Sequence, residues 1–246
     1  MKIRTSLIPL AVASVTALAA NQASAVNYAG NGNSGFGGAI GLGSLTLSDD
    51  GTTINGTFTK GSGNFSDVLV LYIDSGVGGF SSTAGFSDNG DGLRTAISGY
   101  NGSDRSLMTF VSGFLPDYAI ALGPSSDSFG GLWKLADGGA NSLNYVDTVN
   151  LSPTGTSSSG TYTFSLSLAS IGVTAGNSFA LFGTYVSNSG YRSTEAIAGD
   201  DSGTEGWNPF SQTSFGTYTT TPIPEPSTLA FLGLGGLAFL AIRRRK

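Results

Sequence analysis

Apolar and polar residues alternate in short runs along most of the chain. Thr52–Thr59 sets Ile54 and Phe58 on one face and polar residues on the other, the period of a half-buried strand. Thr161–Leu168 (TYTFSLSL) alternates from end to end, with Tyr162, Phe164, Leu166 and Leu168 sharing a face. Asp67–Asp74 (DVLVLYID) is almost continuously apolar, as a central strand buried on both faces would be. Further strands are predicted at Leu93–Ser98, Leu107–Ser112, Asp117–Leu122, Gly131–Ala136, Leu143–Leu151, Phe179–Val186 and Phe215–Thr219. Turn chemistry recurs at Asn55-Gly56, Asp88-Asn89-Gly90-Asp91-Gly92, Asn101-Gly102, Asp137-Gly138-Gly139 and Ser189-Gly190. Leu168–Gly172 reads as a single helical turn, and the Gly- and Asn-rich stretch Asn27–Gly43 as loosely ordered or an edge. Many short strands and turns without a fixed-period repeat predict an all-β chain, a jelly-roll-like antiparallel β-sandwich.

The two ends break this pattern. Met-Lys-Ile-Arg, an apolar run over Ser6–Ala20 and Ala23-Ser24-Ala25 form the n-region, h-region and Ala-x-Ala site of a signal peptide, residues 1–25, cut by signal peptidase after Ala25. The expected mature body is residues 26–221. At the other end stand Pro224, Glu225, Pro226 and Ser227, an uncharged apolar stretch, and the basic cluster Arg243, Arg244, Arg245 and Lys246. As a helix, 227–242 would run about 24 Å, a little short of a hydrocarbon core of about 30 Å. Arginine side chains can snorkel across the difference. The segment is therefore expected to be a transmembrane helix with its basic end on the cytoplasmic side.

This C-terminal order, from Pro-Glu-Pro-Ser-Thr-Leu through a Gly/Leu/Ala-rich span to an Arg-rich end, resembles the PEP-CTERM sorting signal over residues 222–246. The resemblance implies an exosortase as processing partner, cutting near Pro224-Glu225-Pro226. It also implies a transient inner-membrane anchor, then release or transfer to the cell surface or extracellular matrix, in bacteria that make exopolysaccharide and biofilm. Prolines on either side of Glu225 keep that segment extended, as a protease substrate should be. A plain single-span anchor with a Pro-rich stalk is the alternative.

Composition narrows the chemistry. Among 246 residues there is no His and no Cys. That removes Ser-His-Asp and Cys-His catalysis, His- or Cys-ligated zinc, Fe–S clusters and disulfides. With 38 Gly and only 11% charged residues, long helices are disfavoured. The formal net charge of −5 understates the body's acidity. Without the two ends only Lys60, Arg94, Arg105, Lys134 and Arg192 face sixteen acids, a net charge near −11, or −10 if Glu225 is also removed. Such a body repels nucleic acid and anionic headgroups.

A looser likeness covers Phe65 to Asn208. Phe65–Asp74, Phe114–Leu122 with Gly130–Leu135, and Leu166–Gly172 resemble strands and the helical turn of DOMON and family-9 carbohydrate-binding sandwiches. The likeness implies that sugar binding is open to this fold. The absence of His argues against the haem-binding branch.

Four kinds of site compete in the body. Trp133 and Trp207, the only tryptophans, could offer flat faces to sugar rings; alternatively Trp133 is core and Trp207 packs a loop. Asp88 and Asp91 place oxygen ligands on a turn, a possible Ca²⁺ site that lacks EF-hand spacing; the alternative is a solvated turn, with no cofactor. Paired acids could in principle hydrolyse glycosides, but none sits in a motif. Thr217, Thr219, Thr220 and Thr221 are too short a run for an ice-binding array. The expectation is a non-enzymatic surface or matrix protein with a structural or adhesive role in exopolysaccharide. A carbohydrate-binding module is the second reading; a glycoside hydrolase and an ice-binding protein are minor ones.

Overall fold

A strand whose side chains alternate between water and oil needs one apolar neighbour, and a strand that is apolar throughout needs two. Both cases occur here, and they define the layers. The computed structural model describes residues 25–76, 78–123, 130–136 and 143–223. The expected signal peptide through Ser24 (Ala23 included), the expected turn Asp137-Gly138-Gly139, the sorting residues Pro224–Ser227, the expected helix 227–242 and the basic residues Arg243–Lys246 lie outside the described residues. Among the described residues, no helix is long and apolar enough to cross a membrane.

Four antiparallel strands form a small sheet in the order β1 (Val26–Ala29), β2 (Ser44–Asp49), β3 (Thr53–Thr59) and β9 (Thr161–Ser167). The larger sheet runs β12 (Gly199–Gly203), β13 (Phe210–Thr219), β10 (Ser178–Val186), β4 (Val68–Asp74), β6 (Tyr118–Leu122), β7 (Gly130–Leu135) and β8 (Leu143–Val149). Off that path, β11 (Arg192–Ile197) pairs with β10, and the two-residue β5 (Met108–Thr109) pairs with β13, the latter in parallel. The fold is thus the expected antiparallel β-sandwich.

Between the sheets, Leu45, Leu47, Ile54, Phe58, Tyr162 and Phe164 of the small sheet meet Leu69, Leu71, Ile73, Ile120, Phe179 and Leu181 of the large one. Phe65 meets Phe58 and Tyr162 edge-on at ring-centroid distances of 5.2 and 5.1 Å. Each fully buried ring or branched chain contributes about 1.5–3 kcal/mol by burial, and the fold holds together on such contacts without disulfides. The outer face of the large sheet carries a second core: Val68, Val70, Tyr72, Trp133, Phe182 and Val186 pack under Leu93, Ile97, Met108, Phe110 and Phe210. Strand β4 lies between the two cores, which is why its sequence shows no alternation.

One predicted strand is a helix. Leu93–Ser98 lies in α1 (Gly92–Ser98), because Asp91 caps its start, accepting the Arg94 N–H at 2.8 Å, and Gly99 ends it in the left-handed region at φ 65°. Leu93, Ala96 and Ile97 then fall on the face that covers the second core. Asn55-Gly56, read as a turn, lies inside β3: Gly56 sits over the Phe164 ring, where a Cβ would meet ring carbons at 2.2 Å. Strand β5 is shorter than Leu107–Ser112, and β13 starts earlier than Phe215. Strands β2, β11 and β12 were not foreseen. Strand β1 makes Asn27–Ala29 an edge, as expected, and begins at Val26, next to the exposed Ala25. The stretch that follows is firmly placed: Ala39 and Ile40 are fully buried.

Candidate functional site

The C-terminal root of the body is built around Asp49. This carboxylate ends β2 and is buried. Its Oδ1 accepts the N–H of Gly51 at 2.7 Å and that of Thr221 at 2.9 Å, and its Oδ2 accepts the Tyr218 hydroxyl at 2.7 Å. Burial, then the bond to Asp49, pushes the Tyr218 hydroxyl pKa up. Thr220 is fastened as well, its N–H and its hydroxyl both donating to the Asn177 carbonyl at 2.9 Å. The chain is therefore held to the sandwich through Thr221, and Ile223 is already 57% exposed.

At another corner, Trp207 is 42% exposed. It stands perpendicular to Tyr191, with ring centroids 5.0 Å apart, and its Nε1 donates to the Ser189 carbonyl at 3.3 Å. Tyr191 stacks in turn on Phe36. Trp207 thus keeps an open face, with Asn208 and Glu205 beside it in sequence. Trp133 does not: it is 1% exposed, in the second core, against Tyr145 at 5.8 Å and with the Arg94 guanidinium 6.0 Å from its ring. The structure therefore does not bring the two tryptophans into one platform.

Asp88 and Asp91 do come together, around a cation of the chain itself. Arg94 Nη1 lies 2.8 Å from Asp88 Oδ2, and Arg94 Nε lies 3.1 Å from Asp91 Oδ2. Asp88 Oδ1 also accepts the Gly90 N–H at 3.1 Å. A calcium ion at these two side chains would have to displace the guanidinium. Among the described residues, no group of three or more His, Cys, Asp or Glu side chains is placed to hold a metal ion.

Three further charges are buried where the sequence suggests solvated residues: Asp200-Asp201 with Glu205 reads as an acidic loop, and the run around Arg192 and Glu195 as loop as well. Glu195 is fully buried, and its carboxylate accepts the N–H groups of Gly38, Ile40 and Gly41 at 3.1, 2.7 and 3.0 Å. Arg192 is also fully buried, donating to Thr184 Oγ1 at 3.1 Å, with its guanidinium 5.8 Å from the Phe210 ring. Asp201 is 9% exposed. Burial raises its pKa to about 7, against the opposing pull of Arg192. A raised acid pKa means that the folded state keeps a proton the unfolded chain has lost. Stability should then be full below about pH 4 and fall as the pH rises towards 7. Asp201→Asn should be the more stable protein at pH 8, by at most about 4 kcal/mol, and should match wild type near pH 4. Denaturant melts at pH 4, 6 and 8 check this, and an Asp201→Asn advantage that is independent of pH would refute it.

Comparison with known proteins bears on one end of the chain. Residues 222–246 match the family model of the PEP-CTERM protein-sorting motif. No curated protein and no solved structure matches the chain. The motif marks the protein as an exosortase target, exported and processed at its C-terminal end, consistent with a surface or extracellular location.

Proposed function

We propose that the chain is an exported, exosortase-processed protein of the cell surface or extracellular matrix, whose acidic β-sandwich plays a structural or adhesive role in exopolysaccharide or biofilm and catalyses no reaction. Signal peptidase removes residues 1–25, and 227–242 anchors the chain in the inner membrane until the cut near Pro224-Glu225-Pro226. One observation carries the reading: the sorting motif starts at Pro222, the residue after Thr221, which Asp49 holds on the sandwich. In sequence, the motif therefore begins at the residue after the last one that Asp49 holds. Replacing Pro224-Glu225-Pro226 with alanines should leave the protein in the inner-membrane fraction with its basic tail attached. Unchanged release into the medium would sink the reading.

The exposed face of Trp207 favours a second reading, a carbohydrate-binding module, since an aromatic face is suited to the C–H side of a sugar ring. A structural calcium ion at Asp88 and Asp91, which would brace a disulfide-free body, has to compete with Arg94.

A further inference from the structure

The outer face of the small sheet is a continuous field of hydroxyls and amides. Register sets Asn27, Thr46, Thr57 and Thr163 side by side across all four strands, and a bridge extends the row to Ser152. The next row is Ser48, Asn55 and Ser165. Neighbouring strands lie about 4.8 Å apart and alternate residues about 6.8 Å apart, so the polar groups form a regular grid. No side chain on this face carries a charge, although the body as a whole is strongly acidic. A groove of about 390 Å³ opens along β3 and β9, lined by the polar side chains of Asn55, Thr57, Asn150, Ser152, Thr163 and Ser165 together with Gly56 and Phe164. The side chains of Asn55, Thr57, Ser165 and Asn150 have no hydrogen-bond partner among the described residues.

We infer that this face binds a neutral polysaccharide strand lying across β3 and β9. The inference rests on the proposal that the body meets exopolysaccharide, and it places the contact away from Trp207. Free hydroxyl and amide groups both donate and accept, which matches a polymer whose surface is mostly hydroxyl. Without basic groups the face offers nothing to an anionic polymer or to nucleic acid. Its apolar side chains are Ala29 at the edge and Phe164, which lines the groove but is only 4% exposed, too little for the apolar centre that a protein partner or a second copy requires, or for entry into a membrane. The groove lies within the volume range of small-ligand sites, enough for a short stretch of sugar rings.

The test uses the purified full-length chain in detergent micelles, passed over cross-linked dextran, agarose and cellulose, with dextran sulfate as the anionic comparison. Wild type should be retained on at least one neutral polymer, and the retention should survive 1 M salt, which screens charge but not neutral hydrogen bonding. Asn55→Ala with Ser165→Ala should weaken retention about tenfold. Thr57→Glu with Thr163→Glu should abolish it. Both pairs lie on a solvent face, and unchanged melting curves confirm that they fold. Trp207→Ala should retain wild-type binding. The inference falls if no neutral polymer retains the protein, if salt removes the binding, if the face variants bind normally, or if Trp207→Ala alone abolishes it. It also falls if wild type shapes ice crystals while ignoring every polymer. Sorting is read separately: failure to bind neutral polymers while processing proceeds at Pro224–Pro226 sinks this inference and leaves the export reading standing.

Discussion

Glu195→Ala is expected to lower the free energy of unfolding by about 3–5 kcal/mol. The substitution leaves the N–H groups of Gly38, Ile40 and Gly41 without their acceptor, and each buried unpaired donor costs about 1–3 kcal/mol. The loop they belong to is not decoration. Ala39 and Ile40 reach the inter-sheet core from it, so loosening it removes apolar burial as well. Against a typical total of 5–15 kcal/mol, such a loss places the variant near the edge of folding. Glu195→Gln should be milder, because one amide oxygen can still accept, while its NH₂ group faces donors. Urea denaturation of the three proteins decides the matter. A loss below about 1 kcal/mol for Glu195→Ala would mean that the carboxylate is not what holds the loop.

Asp49→Ala is expected to cost about 2–4 kcal/mol by the same physics, since it strips acceptors from Gly51, Tyr218 and Thr221. Its local consequence is distinctive. Thr221 loses its anchorage, so the last residues of the body are freed from the sandwich. Amide exchange at Gly51 and Thr221 should speed up far more than exchange in the middle of β4, whose bonds lie in the most buried strand. Asp49→Asn should keep part of the protection through its remaining oxygen. Equal acceleration at every amide would instead indicate a general loss of stability.

The layers of the fold could be read from the chain wherever one residue's neighbours determine its environment. Tyr162, Phe164 and Leu166 alternate with polar residues because β9 has water on one side, and the unbroken apolar run of β4 reports its two cores. Strand β11 was hidden for the opposite reason: it buries two charged residues, Arg192 and Glu195, and the donors that satisfy Glu195 lie far along the chain, Ile40 being 155 residues away. The helix α1 carried its own markers, Asp91 at the start and Gly99 at the end, but with seven residues it looks no longer than a strand. The sorting motif was legible because it is linear and read by position. The hydroxyl face was not, because Thr57 and Thr163 become neighbours only through the pairing of β3 with β9. Serine and threonine along a strand look like ordinary solvent-facing residues until four such strands are set in register.

The buried acids also explain how a chain with so few charges uses them. Asp49 and Glu195 act as acceptors for backbone donors rather than as partners of cations. Asp88 and Asp91 share Arg94, which ties the start of α1 to the preceding turn. The acidity of the body is thus partly structural, while the face of β1, β2, β3 and β9 is left neutral.

On this reading the protein reaches its destination after cuts at both ends. Intact-mass measurement of the protein recovered from the cell surface or the medium decides this. The expected chain begins near Val26 and ends within or just before Pro224-Glu225-Pro226, any attached group adding to that mass. A surface-exposed chain whose mass includes the sequence through Lys246 would contradict it.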